Sequence, residues 1–285
     1  MTGGPAAQRI TTGVGSLSFG PDPVLVGVIN VTPDSFSDSG EFFGAEAAVA
    51  QARALLDQGA HVVDVGGEST RPGSDPVSPK EELRRILPVI RGVLSTRPDA
   101  TISVDTYRYS TAEAALDAGA KVVNDVTALG DPKMAGLVAE WGCPIILMHM
   151  LGEPKSMQQD PRYKDVVREV RDFLAKRAER AIRAGVEPEN LILDPGIGFG
   201  KTLEHNLKLL DHLDSLVQLG FPVLVGASRK RFLGKITGSV DPKKRLFGTV
   251  AANVLAYERG ATFFRVHDVR ANREALAVAA AIRGS

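Results

Sequence analysis

Val28-Ile29-Asn30-Val31-Thr32-Pro33-Asp34-Ser35-Phe36-Ser37-Asp38 runs from an apolar strand into a polar, proline-turned segment carrying an amide, hydroxyls, a phenyl ring and two carboxylates. A rigid strand followed by a reaching loop is how parallel-sheet enzymes present reactive groups. The layout recurs along the chain, with polar residues closing apolar runs at Asn30, Gly66-Gly67-Glu68-Ser69, Asp105, Asn124-Asp125, His149, Asp194, Ser228 and His267-Asp268. Helix N-caps also select Ser, Asp and Asn, which accounts for part of this pattern. Capping does not account for Asp105, Asn124 and Asp194, which fall close to strand interiors where an unpartnered carboxylate is costly. A ring of acids and amides at one mouth suits a flat, nitrogen-rich heterocycle with N–H donors and acceptors.

A second chemistry sits beside the first. Arg265 and His267 are two apart on one strand and project to the same face. With Asn30 on the neighbouring first strand they can hold a phosphate or diphosphate, the arginine offering a bidentate fork. The alternative is that Arg265 pairs with a barrel carboxylate. Gly67-Glu68-Ser69-Thr70-Arg71-Pro72-Gly73 is another polar loop, whose arginine suits a carboxylate. Ser228-Arg229-Lys230-Arg231 falls at the start of a helix, the positive end of its dipole.

The elements that must position these groups are eight short apolar runs: Val24–Ile29, Val62–Val65, Thr101–Val104, Val122–Val126, Pro144–Met148, Leu191–Leu193, Pro222–Val225 and Thr262–Val266. They are nearly continuous in Val, Ile and Leu, as strands covered on both faces should be. Helical patterns lie between them. Leu83, Ile86, Leu87, Ile90, Val93 and Leu94 recur every three to four residues, with Pro88 expected to bend the helix. A longer amphipathic run extends from Asp165 to Ala184 and stops at Gly185. Helix returns to strand through a repeated glycine joint at Gly59, Gly119, Gly142 and Gly260. Strand and helix in eight-fold alternation predict a single (β/α)₈ TIM barrel across residues 1–285, with the active site at the C-terminal ends of its strands. A doubly wound open sheet is the runner-up.

Composition excludes several classes. Among 285 residues, 34 are Lys or Arg and 34 are Asp or Glu, so nothing points to a nucleic-acid or membrane surface. Cys143 is the only cysteine and reads as an inert core thiol. No run approaches the roughly 20 apolar residues of a membrane span, and the N-terminus lacks signal-peptide regions, so a cytoplasmic location is expected. Gly196-Ile197-Gly198-Phe199-Gly200-Lys201-Thr202 looks like a phosphate loop, but Pro195 stands where the leading glycine is required. The five histidines show no zinc-ligand spacing; His205 and His212 read as solvated helix residues, and His61 opens a strand at the opposite face.

Seven segments together resemble the dihydropteroate synthase family. They are Gly27–Asp38; Asp64-Val65-Gly66-Gly67-Glu68-Ser69-Thr70-Arg71-Pro72-Gly73; Ser103-Val104-Asp105-Thr106; Val123-Asn124-Asp125-Val126; Leu193–Lys201; Gly226-Ala227-Ser228-Arg229-Lys230-Arg231-Phe232; and Arg265-Val266-His267-Asp268. They occur in family order, and the resemblance covers roughly residues 24–285. Ser39 departs from the pattern, standing where the family usually has the first of two glycines after Asp38.

The resemblance implies a folate-pathway transferase, the target of sulfonamides. It implies condensation of 6-hydroxymethyl-7,8-dihydropterin diphosphate with 4-aminobenzoate to 7,8-dihydropteroate and diphosphate, with Mg²⁺ and as a homodimer. It implies that Asp105, Asn124, Asp194 and Lys230 hold the pterin, with Met148, Val126, Phe199 and Gly226 lining its pocket. Asn30, Arg265 and His267 would take the diphosphate, Asn30 also contacting the metal. Thr70, Arg71, Pro72, Phe36 and Ser228 would form the aminobenzoate site. Asp194, Lys230, Arg265, His267 and Asp38 are the candidate catalytic groups. The competing expectations are a pterin- or folate-binding barrel that performs no condensation, and a catalytically silent paralogue.

Overall fold

Eight parallel strands alternate with helices in the computed structural model, which describes residues 8–12, 15–19, 22–32, 41–69 and 73–284. An antiparallel hairpin, β1 (Gln8–Thr12) and β2 (Gly15–Phe19), precedes the parallel strands. Those strands are β3 (Val24–Asn30), β4 (Val62–Gly66), β5 (Ile102–Asp105), β6 (Val122–Asp125), β7 (Ile145–Met148), β8 (Leu191–Asp194), β9 (Leu224–Val225) and β10 (Phe263–Val266). Around them lie α1 (Glu41–Asp57), α2 (Pro79–Thr96), α3 (Tyr109–Asp117), α4 (Met134–Trp141), α5 (Val166–Arg183), α6 (Leu203–Asp211), α7 (Asp214–Val217), α8 (Arg231–Thr237), α9 (Leu246–Glu258) and α10 (Val269–Gly284).

Strand order runs β8-β7-β6-β5-β4-β3-β10-β9, and a bridge between Leu193 and Val223 joins the two ends. The Leu193 N–H donates to the Pro222 carbonyl at 2.9 Å across that seam. Sequential neighbours that return to meet each other form a barrel, so the open-sheet alternative falls. Each predicted run overlaps a strand, and several strands extend past their run onto the polar residue: Asn30, Asp105 and Asp194 are the last residues of β3, β5 and β8. The seventh is shortest, reduced to Leu224–Val225.

Two apolar cores follow from strand alternation. Between strands and helices lies a large shell including Leu25, Ile29, Val63, Val65, Val104, Val123, Leu147 and Phe264. Inside the barrel, Val24, Val26, Val62, Val122, Ile146, Ile192, Leu224 and Phe263 form a separate plug. A step of two residues up each strand from that plug keeps the side chain inside. From Val62 the step reaches Asp64 and then Gly66; from Val122, Asn124; from Ile192, Asp194; from Phe263, Arg265 and then His267. The candidate residues are therefore the polar upper layers of a barrel whose floor is hydrocarbon.

Pro88 lies inside α2, whose N-terminus is capped by Ser78 accepting from Glu81 N at 3.2 Å. α5 has Asp165 as N-cap and Ala184 as C-cap, with Gly185 at φ +97°. The joint glycines Gly59, Gly119, Gly142 and Gly260 all have positive φ, as a left-handed helix terminus requires. Among the described residues no helix is long and apolar enough to cross a membrane.

Candidate active site at the barrel mouth

Arg265 organises the inner layer. Its Nε donates to Asp64 Oδ2 at 2.7 Å and its Nη2 to Asp105 Oδ2 at 2.8 Å. Asn124 Nδ2 also donates to Asp64 Oδ2, at 3.1 Å. Pairing with barrel carboxylates was the alternative weighed for Arg265, and that pairing is present. It occupies two of the five guanidinium N–H groups. One guanidinium between two buried carboxylates leaves a net negative charge in a poorly solvated place. Burial accordingly pushes Asp105 up to about 7, with Arg265 opposing and Asp64 adding to the rise. Burial works against the Arg265 charge, but Asp64 and Asp105 hold its pKa above the ordinary value.

Asp194 and Lys230 form the other side. Asp194 Oδ1 accepts the Gly196 N–H at 2.7 Å, and burial raises its pKa against the pull of Lys230. Lys230 donates to the Ile197 carbonyl, and its Nζ sits 4.5 Å from the centre of the Phe199 ring. Burial brings its pKa down to about 8, with Asp194 opposing. Gly226 leaves space beside these groups: a Cβ there would come 3.8 Å from Lys230 Nζ and 3.9 Å from Arg265 Cβ. Met148 and Val126 are buried at the tops of their strands. A shelf between the Asp105–Asn124 side and the Asp194–Lys230 side can donate to and accept from a planar heterocycle over an apolar floor.

Ser228 Oγ and His267 Nδ1 are 3.0 Å apart, and Ser228 Oγ accepts the His267 backbone N–H at 3.2 Å. The hydroxyl thus ties both the ring and the backbone of His267 to the loop after β9. Arg229 turns away, pairing with Asp268, so the basic run after β9 divides its roles. Asp125 also faces out: it accepts from Thr127 N, Thr127 Oγ1 and Leu129 N at 2.8, 2.7 and 2.7 Å. Asn30 is half-buried at the rim, where β3 pairs with β4 at Gly66.

The loop after β8 shows why its phosphate-loop look is superficial. Its N–H groups are taken internally, Gly196 by Asp194, Gly198 by Asn206 Oδ1 at 2.6 Å and Phe199 by the Gly196 carbonyl at 3.0 Å. The carbonyls of Ile197, Gly198, Phe199 and Gly200 instead accept from the side chains of Lys230, Gln158, Lys201 and Tyr163. Gly196, at φ +65°, admits no side chain, since a Cβ would lie 1.8 Å from the His149 carbonyl oxygen.

Phe36, Asp38, Ser39, Thr70, Arg71 and Pro72 lie outside the described residues. The flanks of residues 70–72 are described, and they are clamped. Arg108 bridges Glu68 and Glu82, each at 2.7 Å, and donates to the Val77 carbonyl at 2.9 Å. Glu68 accepts from Val77 N and Tyr107 OH, both at 3.0 Å, while Arg85 donates to the Gly67 carbonyl at 2.8 Å.

Sequence reasoning passed over Asp64, Arg108 and Lys201. The signal for Asp64 was present, a lone carboxylate inside Val62-Val63-Asp64-Val65, and the cost argument applied to Asp105 applies to it equally. His205 is more than a solvated residue: its ring closes a capping box with Thr202 at the start of α6. His61 Nδ1 accepts from Leu25 N at 3.0 Å, at the N-terminal end of the strands. His149 lies edge-on to Phe173, ring centres 4.9 Å apart, and burial followed by the Lys201 charge lowers its pKa to about 3.

Against known proteins, the family model described as pterin binding enzyme matches residues 26–267. The dihydropteroate synthase of Synechocystis is 47% identical over 265 residues, covering 93% of this chain and 91% of that one. A Xanthomonas albilineans dihydropteroate synthase solved with 4-aminobenzoic acid superposes with a TM-score of 0.92 at 44% identity, covering 98% of this chain and 99% of that one. The same organism's enzyme in complex with 7,8-dihydropteroate gives a TM-score of 0.84 at 44% identity, covering 93% and 95% of the two chains.

Proposed function

From its membership of the pterin-binding enzyme family, we propose that this chain catalyses the dihydropteroate synthase reaction, condensing 6-hydroxymethyl-7,8-dihydropterin diphosphate with 4-aminobenzoate. The observation that carries the reading is one mouth joining Asp105, Asn124 and Arg265 to Asp194 and Lys230, in a chain so similar to structures holding 4-aminobenzoic acid and 7,8-dihydropteroate.

Asp105, Asn124, Asp194 and Lys230 hold the pterin edge, with Met148, Val126, Phe199 and Gly226 as its walls. Arg265, with N–H groups remaining after its two carboxylates, joins His267 and Asn30 around the diphosphate. Thr70, Arg71, Pro72, Phe36 and Ser228 border the aminobenzoate. An arylamine is a weak nucleophile because its lone pair is delocalised into the ring. A displacement in which the C–O bond to diphosphate breaks ahead of C–N bond formation therefore suits it. The electron-rich dihydropterin shares the positive charge that develops, and the Asp194 carboxylate stabilises it from a fixed position. Arg265 and His267 stabilise the departing anion. Asp38 would shield the cation or orient the amine.

Asn30 offers a hard amide oxygen, and among the described residues no three His, Cys, Asp or Glu gather as metal ligands. An oxygen donor suits Mg²⁺, a hard cation that usually takes one or two protein carboxylates with substrate phosphates and water, so the diphosphate itself would supply much of its coordination. Bound there it would neutralise diphosphate charge. Charge balance and the absence of a cysteine pair support a cytoplasmic protein acting on small molecules, with no nucleic-acid or membrane partner. Exposed Phe247 and Leu255 on α9, with Val278 and Ile282 on α10, support a homodimer through that face of a single-domain barrel.

The test gives purified protein the diphosphate ester and 4-aminobenzoate, together and singly, with Mg²⁺. Dihydropteroate formed only in the joint reaction supports the synthase. Pterin binding without product would favour the non-condensing barrel or the silent paralogue.

A further inference from the structure

Lysine is among the residues least often buried without a paired charge, yet Lys201 is 3% exposed. Of the four side chains that donate to the carbonyls of Ile197, Gly198, Phe199 and Gly200, it is the most fully enclosed. Its Nζ lies 2.9 Å from the Phe199 carbonyl, 3.3 Å from the His149 carbonyl and 3.0 Å from His149 Nδ1. These acceptors belong to two different strand ends. His149 follows β7 and donates its backbone N–H to the Asp194 carbonyl at 3.0 Å, while Phe199 belongs to the loop after β8. Lys201 therefore stitches the two strand ends together directly behind the Asp194–Lys230 shelf.

The stitch holds in either protonation state. Burial takes the Lys201 pKa well below the usual lysine range, and the Asp194 charge opposes that fall. An ammonium supplies one proton to each of the three acceptors. A neutral amine supplies both carbonyls and accepts from Nδ1–H of the other imidazole tautomer. Ordering a long side chain and desolvating its amine are both costly, whereas a methionine would fill similar volume without that cost. The compensation visible in the structure is the fixed position of Phe199 and of the backbone that carries Asp194.

We infer that Lys201 is a positioning residue for the pterin subsite, acting through the Phe199 and His149 carbonyls to set the Phe199 ring and the Asp194 carboxylate. The inference rests on the proposed function, because it takes that shelf to be the pterin subsite. It makes a selective claim: the pterin side should suffer and the aminobenzoate side should not.

The experiment compares Lys201→Met with wild type in the full-length protein. It reads KM for the diphosphate ester and for 4-aminobenzoate, and calorimetric Kd for the ester alone. Wild type must first bind the ester; if it does not, the functional reading fails rather than this inference. The expected result is ester affinity weakened about 10- to 100-fold, the range for loss of a charge-assisted hydrogen bond that leaves buried acceptors unmet. The aminobenzoate KM should change less than about twofold, within the scatter of such contacts. Unchanged ester affinity, or equal losses for both substrates, overturns the inference. Should Lys201→Met fail to fold, Lys201→Gln decides, since its amide nitrogen ends one bond short of Nζ and so withdraws the donor from the Phe199 and His149 carbonyls. Weakened ester binding in that variant supports the stitch, and wild-type binding overturns it.

Discussion

Replacing Arg265 with methionine removes the one guanidinium that Asp64 and Asp105 share at 2.7 and 2.8 Å. Both carboxylates are buried. Removing one partner from a buried ion pair costs about 3–5 kcal/mol, a large share of the roughly 5–15 kcal/mol that keeps a domain folded. The loss depends on pH, with a sign set by Asp105. Burial already raises Asp105 from 3.8 to about 7 while Arg265 opposes it. Without the arginine the folded-state pKa rises further, while the unfolded value stays in the ordinary carboxylate range. A group raised in the folded state contributes stability below its unfolded pKa, and loses that contribution as pH rises through the folded pKa. The variant is therefore least impaired near pH 5, where Asp105 takes up its proton, and approaches the full loss of about 3–5 kcal/mol near pH 9. Urea unfolding at both pH values, read by circular dichroism, measures this, provided the slope against urea matches wild type. A loss below about 1 kcal/mol near pH 9, as for an exposed pair, or equal losses at both pH values, refutes the buried-triad account.

Three further outcomes are expected. Arg108→Ala leaves Glu68 and Glu82 without their shared partner, so Glu68 and Val77, which flank residues 70–72, should loosen. The KM for 4-aminobenzoate should rise about tenfold, the size of one lost charged hydrogen bond, with the ester KM nearly unchanged; equal changes would remove the clamp from the account. Lys230, brought down to about 8, loses its charge as pH rises through that value. Ester kcat/KM should fall there in a wild-type pH profile, and a flat profile would deny Lys230 a charged role. Cys143 is buried and its thiol is pushed up to about 12. It should resist iodoacetamide in the native protein and react on unfolding, and rapid native alkylation would place it elsewhere.

Much of the barrel was legible because its physics is local and repeated. Glycine joints and continuous Val, Ile and Leu runs mark where each strand begins, and parallel strands covered on both faces leave little else for those runs to be. Asp105, Asn124 and Asp194 stood out because a carboxylate or amide near a strand interior demands a partner. What the sequence hid was the identity of those partners. Asp64 and Arg265 are 201 positions apart and meet only because alternate residues of β4 and β10 face the same interior. Arg108 similarly reaches Glu68 across 40 positions from the start of α3. Lys201 carried only the look of a phosphate-loop lysine, which its true partners do not match: two backbone carbonyls and a ring brought together by the turn at Gly196. Arg265 shows the difficulty most clearly: sequence offered it to an anion or to a carboxylate, and only the fold reveals the pairing with Asp64 and Asp105, which engages two of its five N–H groups.

The central claim is that this mouth joins a pterin to an arylamine with release of diphosphate. It is tested most directly by quantifying 7,8-dihydropteroate and free diphosphate in one reaction, for wild type and for a folded Asp194→Asn variant. The account predicts equimolar products from wild type and a loss of activity by orders of magnitude in the variant. Wild-type turnover in Asp194→Asn, or no product from wild type despite bound pterin, would contradict it.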